Sequence, residues 1–196
     1  MLMSITPLGE RGRGQRWGVT TTLFIAGATL GGAVLGGVLG LLGQQLHEPL
    51  HVGAGVRVVA LAILLLASFA LDLSVDRIPG PRRQVNENWL PAYRGWVYGG
   101  GFGVQLGLGL VTIVTTSLVW VTFIAALLSA SPEEGLWIGG VFGAVRGATI
   151  FAAASVAAPA DLSRLGVKLE RWRPVSAQVA RSTQIVLAAS LVLIAI

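Results

Sequence analysis

Five runs of apolar sequence, joined by short connections whose charge alternates in sign, restrict this chain to a bundle of helices within a lipid bilayer. A helix needs about 20 mostly apolar residues to cross a hydrocarbon layer of roughly 30 Å. Residues 18–43, 53–73, 99–129 and 135–158 reach that length directly. The fifth run, 182–196, extends back to 175–196 when Arg181 snorkels its guanidinium to the interface. Lipid offers the backbone no hydrogen-bond partners, so each run is expected as a helix that satisfies its own amides. The expected fold is all-α: a polytopic bundle of about five helices forming a single transmembrane domain over residues 1–196.

Composition agrees with that solvent. The chain is 54% hydrophobic and 12% charged, about half the charge of an average soluble domain. Its 27 glycines fit membrane helices, where glycine is more frequent than in soluble ones. The absence of cysteine excludes disulfides, thiol relays and Cys-ligated metals. The net charge of +5 does not point to nucleic acid, because the cations sit between the apolar runs.

The connections assign an orientation. Arg11, Arg13 and Arg16 precede the first run, and Arg77, Arg82, Arg83 and Arg94 lie between the second and third. Arg164, Lys168, Arg171, Arg173 and Arg181 lie between the fourth and fifth. The remaining two loops, around His47–His51 and Ser131–Gly135, carry Glu48, Glu133 and Glu134 and no cation. The positive-inside rule then places the N-terminus in the cytoplasm and the C-terminus outside, in a bacterial cytoplasmic membrane. The first residues lack an apolar core and a small-residue cleavage site, so no cleavable signal peptide is expected. Trp17, Trp89, Trp96, Trp137 and Trp172 fall at the ends of the runs, as an interfacial aromatic belt requires, and Trp120 lies deeper.

The third run is too long. From Gly95 to Ser129 it would make roughly 52 Å of helix at 1.5 Å per residue. Either Trp89–Gly99 lies along the interface, or the helix breaks at Gly99-Gly100-Gly101. We favour an interfacial approach segment followed by a glycine-rich helix start.

Helices one and two share a pattern with helices three and four. Gly27 and Gly31, and then Gly32, Gly36 and Gly40, recur at four-residue spacing in the first. Gly95, Gly99, Gly103 and Gly107 do so in the third. Gly53-Ala54-Gly55-Val56-Arg57 corresponds to Gly143-Ala144-Val145-Arg146. This is the pattern of a parallel two-helix repeat followed by a terminal helix. The four-residue stripes, with Gly139, Gly143 and Gly147 as another, bring helix backbones into close approach; within one bundle they are packing faces, and between chains they would form a homo-oligomer seam or a partner's docking face.

Gly-rich helices in two repeats with basic cytoplasmic loops resemble the CcdA/DsbD-type membrane domains and the wider LysE-like exporters. The match rests on Gly99–Thr116, GGGFGVQLGLGLVTIVTT. The resemblance implies a polytopic transport or biogenesis protein. It departs from the family in lacking the reactive cysteine of each repeat and in counting five helices rather than six.

His47-Glu48-Pro49-Leu50-His51 matches the zinc-protease motif H-E-x-x-H. That chemistry needs both histidines one turn apart on an unbroken helix. Pro49 lies inside the turn, and no third histidine follows, so a solvated loop is expected and no metal site. Arg146, in the middle of the fourth run, is the most informative residue. A charge there costs about 2.5–3.5 kcal/mol on insertion scales, and such residues face a bundle interior. It is either capped by carbonyls and polar groups such as Gln105, or it joins Arg57 in a site for a small anion. Arg57 alternatively snorkels outward toward Glu48.

No catalytic residue, cofactor or nucleic-acid partner is expected, and the chain is read as no enzyme. Two functions suit the pattern: a small transporter or permease moving an anionic solute past Arg57, Gln105 and Arg146, or a non-catalytic membrane subunit packing against a partner through its glycine faces.

Overall fold

A computed structural model describes residues 4–50, 53–74, 89–109 and 116–195. Every regular element among them is helical. In chain order these are α1 (Pro7–Gly12), α2 (Trp17–Leu50), α3 (Ala54–Ser74), α4 (Trp89–Ala92), α5 (Gly95–Leu108), α6 (Leu118–Leu128) and α7 (Pro132–Ala148). A 3-10 turn, Thr149–Ala153, extends α7, and α8 (Pro159–Ala195) follows. Among the described residues three helices are long and apolar enough to cross a membrane: Trp17–Glu48, Ala54–Ser74 and Pro132–Ala153.

The third run is not one helix. α5 ends at Leu108, and Gly109 follows at φ 63°, a left-handed conformation that glycine adopts without steric cost. α6 then begins at Leu118. The break therefore falls at Gly109 and not at Gly99-Gly100-Gly101, which is helical. Packing explains the difference. A methyl group on Gly99 would stand 2.7 Å from the Thr20 carbonyl oxygen, and one on Gly103 would overlap that of Phe24. The close approach of α2 holds these glycines in a helix that their propensity alone disfavours.

Two further elements outrun their expected bounds. α2 continues through the histidine motif to Leu50, so His47 and Glu48 are helical rather than in a loop, and His47 Nδ1 lies 2.6 Å from the Gly43 carbonyl oxygen. His51 lies outside the described residues, as do Arg77, Arg82 and Arg83. The cationic connection between the fourth and fifth runs and the expected span 175–196 are one helix, α8, with Pro174 inside it.

The chain divides into two compact units, which do not follow the proposed repeat. One comprises Met1–Gly32, Pro81–Ile113 and Gly140–Arg173; the other comprises Ala33–Gly80, Val114–Gly139 and Pro174–Ile196. Each unit takes part of each helix pair.

In the first unit, Thr6 opens α1 as its N-cap, accepting from Gly9 N at 3.0 Å, with Pro7 supplying the preset φ of a first helical residue. Ile5, Phe24, Tyr98, Phe102 and Ile150 form its core. Trp89 stacks on Phe102 with centroids 5.8 Å apart, and its ring also fills the space beside Gly101. A second apolar group, Ala153, Val156 and Leu165, lies against Leu8. Ala28 is the point of closest backbone approach: methyl groups on Gly107 or Gly143 would overlap its carbonyl oxygen.

In the second unit, Leu65, Val121 and Ala188 pack α3, α6 and α8 together. Here α2 meets α7 backbone to backbone, since a methyl group on Gly36 would overlap the Gly135 carbonyl oxygen, and one on Gly40 that of Ser131. The glycine stripes thus serve as helix-packing faces inside each unit. Bare backbone gains dispersion contact where lipid supplies no hydrophobic driving force.

Candidate functional site

Polar side chains inside an apolar bundle are costly unless paired, so the two buried polar clusters are the candidate sites.

The first cluster centres on Glu10, in the first unit, whose side chain is wholly buried. Its Oε1 meets Arg13 Nη2 at 2.5 Å, and Thr20 donates its hydroxyl to Oε2 at 2.6 Å. The Tyr98 hydroxyl lies 2.6 Å from both carboxylate oxygens. Arg13 Nη2 also donates to the Ser4 carbonyl at 2.7 Å. Burial pulls the Arg13 guanidinium down, but its contacts with Glu10 and Tyr98 outweigh that and hold it above its ordinary value. Gly95 completes the arrangement. Its N–H donates to Gln15 Oε1 at 3.1 Å, and a methyl group in its place would stand 2.6 Å from the Thr20 hydroxyl. The cluster joins α1, α2 and α5 through one carboxylate whose oxygens are fully engaged.

The second cluster lies in the other unit. Asp72, near the end of α3, accepts from Ser117 N through Oδ1 at 3.1 Å, so it caps the start of α6. Gln184 of α8, fully buried, donates through Nε2 to Asp72 Oδ2 at 2.9 Å and to Ser68 Oγ at 2.8 Å. Ser68 and Ser117 share a hydrogen bond of 2.5 Å, and Ser117 Oγ lies 3.0 Å from the Ser68 carbonyl oxygen. Arg181 Nη2 donates to the Asp72 carbonyl at 2.9 Å. Four side chains from three helices therefore close one network. Gln184 Oε1 is the buried acceptor left without a partner among the described residues.

The residues expected to bind a substrate are placed as follows. Arg57 donates through Nη1 to the carbonyl oxygens of Leu128, at 3.1 Å, and Ser129, at 2.7 Å. It closes the C-terminal end of α6, just before Ala130 turns to φ 52°. Arg146 lies in the other unit, its guanidinium 5.3 Å from the centre of the Phe142 ring. Gln105 is half-buried on α5, also in that unit. Among the described residues, no three His, Asp or Glu side chains gather as a metal site would require.

Sequence reasoning passed over Glu10, Tyr98, Ser68 and Gln184. An acid among the arginines that precede the first run, and a glutamine inside the fifth apolar run, were the available signals.

Among known proteins, the chain is 32% identical over 145 residues to the methylamine utilization protein MauF of Paracoccus denitrificans, covering 71% of this chain and 52% of that one. It is likewise 32% identical over 148 residues to MauF of Paracoccus versutus, covering 71% and 53%. MauF of Methylorubrum extorquens is 33% identical over 125 residues, covering 61% and 42%. The chain spans about half the length of the curated relatives it matches. No family model and no solved structure matches it. These relatives correct two expectations. They share one name, methylamine utilization protein, so the solute-transporter reading is overturned. The resemblance to CcdA/DsbD-type proteins is also displaced, and at modest identity the similarity points instead to MauF.

Proposed function

We propose that this chain is a non-catalytic, multi-pass membrane subunit serving a methylamine-utilization system. The observation that carries the reading is the similarity to MauF proteins over about seven-tenths of the chain. The polar chemistry supports it. Glu10 and Asp72 are consumed in ties between helices, and Arg57 is spent on carbonyl oxygens. In the finer form of this proposal the bundle crosses the bacterial cytoplasmic membrane five times, with its N-terminus in the cytoplasm. The interrupted α5–α6 segment and α8 would supply the spans beyond the three long apolar helices.

Deleting the gene in its own host tests the role. Growth on methylamine should be lost while growth on ammonium is kept, and the rate of labelled methylamine entry into cells should be unchanged. Undiminished growth on methylamine would remove the proposal, and loss of entry would remove the subunit reading. Cysteine substitutions read by a membrane-impermeant thiol reagent test the topology. Positions beside Arg11 and Arg164 should label only after permeabilisation, and positions beside Glu48 and Glu133 in intact cells.

A further inference from the structure

In the first unit, α1 ends, α2 starts and α5 starts within one small region. The tie is explicit: Gly95 N donates to Gln15 Oε1, and Thr20 and Tyr98 meet on the Glu10 carboxylate. Four arginines belong to this region: Arg11, Arg13, Arg16 and Arg94. Glu10 is its acid, and Arg13 takes it. Arg11, Arg16 and Arg94 are exposed and make no ion pair among the described residues. Arg16 directly follows Gln15 and Arg94 directly precedes Gly95, so two exposed arginines adjoin the two residues of one hydrogen bond.

The surroundings indicate what would neutralise them. Tyr93 and Trp96 are exposed beside Arg94, at 53% and 57%, and Trp17 stands beside Arg16. Amphipathic rings next to cations, where two apolar helices begin, are the chemistry of the headgroup layer. Arginine forks match phosphate oxygens in bidentate geometry. In α8, by comparison, Arg164 pairs with Asp161 and Arg173 faces Glu170, each three residues away.

We propose that Arg11, Arg16 and Arg94 form a binding site for the phosphate of an anionic phospholipid headgroup, with Tyr93 and Trp96 seated at the glycerol level. The site is independent of the role in methylamine utilization. An acidic protein surface is the competing occupant; the position of the rings where the apolar helices α2 and α5 begin favours the headgroup layer.

The test uses the full chain in lipid nanodiscs of phosphatidylcholine mixed with phosphatidylglycerol. Lipids retained by the protein after release are counted by native mass spectrometry. Phosphatidylglycerol should be enriched over its share of the disc. Each of Arg11→Gln, Arg16→Gln and Arg94→Gln should lower the enrichment, by about fivefold per arginine at low salt. The triple variant Arg164→Gln/Arg171→Gln/Arg173→Gln should keep most of it, and helicity by circular dichroism confirms that every variant is folded. Equal loss in that variant and in the triple variant Arg11→Gln/Arg16→Gln/Arg94→Gln would reduce the effect to net charge and overturn the site. No enrichment in the wild type would also overturn it and leave the acidic protein surface. Stabilisation by inorganic phosphate in phosphatidylcholine discs, without phosphatidylglycerol enrichment, would assign a free-phosphate site and overturn the lipid.

Discussion

Gln184 donates to Asp72 at 2.9 Å, and Asp72 in turn accepts from the backbone of Ser117, so one carboxylate joins the last helix to the start of α6. Asp72→Ala removes a helix cap, worth about 1 kcal/mol. It also leaves the buried Gln184 amide short of an acceptor, at about 1–3 kcal/mol. The expected loss is roughly 2–3 kcal/mol of stability by those two terms. Asp72→Asn keeps an oxygen for Ser117 and should lose about 1 kcal/mol. Reversible unfolding in mixed micelles measures both. Equal costs for Ala and Asn would show that the cap is not the reason.

Glu10 makes a second prediction. Glu10→Ala leaves Arg13, Thr20 and Tyr98 without their shared acceptor, and breaking a buried ion pair by removing one partner costs about 3–5 kcal/mol. The location of Arg13 near the surface lowers that to about 2–3 kcal/mol, since its side chain is 26% exposed. Glu10→Gln retains an acceptor for a hydroxyl and should fall between. Proteolysis of the N-terminal segment should accelerate in the same order. Glu10→Ala behaving as wild type would remove the cluster's structural role.

The glycines of α5 separate packing from propensity. On Gly103 a methyl group would overlap the Phe24 carbonyl oxygen, whereas on Gly100 it meets nothing within 4 Å. Gly103→Ala should therefore cost about 1–3 kcal/mol through overpacking. Gly100→Ala should gain up to about 1 kcal/mol of helix propensity. Thermal midpoints in the same detergent suffice, and shifts of the same sign would contradict the packing.

These results explain what the sequence could and could not reveal. Apolar length located three long helices, because hydropathy over 20 residues is a property of the run itself. Bare backbone at every fourth residue is likewise legible without knowing the partner, and a methyl group on Gly36, Gly40, Gly103, Gly107 or Gly143 would overlap a carbonyl oxygen. The break at Gly109 is not legible in the third run, for which an interfacial approach is the favoured reading and Gly99-Gly100-Gly101 the alternative break, because glycine propensity is local while α2 packs against the triplet. Glu10 and Tyr98 are 88 residues apart, and Asp72 and Gln184 are 112 apart. Their pairings are tertiary and leave no trace in local pattern.

Arg57 was readable as an unusual charge, but its partners were not. Its bonds to the Leu128 and Ser129 carbonyl oxygens hold the turn where Ala130 takes φ 52°. A non-glycine residue in that conformation costs roughly 1–2 kcal/mol. Arg57→Met should lose about 2 kcal/mol, within the range for hydrogen bonds made by a charged group. Ala130→Gly should recover about 1 kcal/mol of it by relieving the strain. Amide exchange in the last turn of α6 should quicken in Arg57→Met. If the amides exchange as in wild type, Arg57 does not cap that end.

Asp161 supplies the pH dependence outside the membrane spans. It sits in the first turn of α8, and its carboxylate accepts from Ala158 N at 2.9 Å and Ala157 N at 3.1 Å. Those two backbone bonds, with a lesser contribution from Arg164, hold its pKa below the ordinary carboxylate value. A carboxylate depressed on folding contributes stability that is complete above its unfolded pKa and is lost as pH falls through the folded one. The first turn of α8 should therefore loosen only in acid, below the usual carboxylate range, with no change from neutral to mildly alkaline pH. Amide exchange at Leu162 and Ser163, followed across the acid range, should show that loss in wild type. In Asp161→Asn, which cannot titrate, the same amides should exchange with no acid step; a step that persists in this variant would assign the dependence to another group.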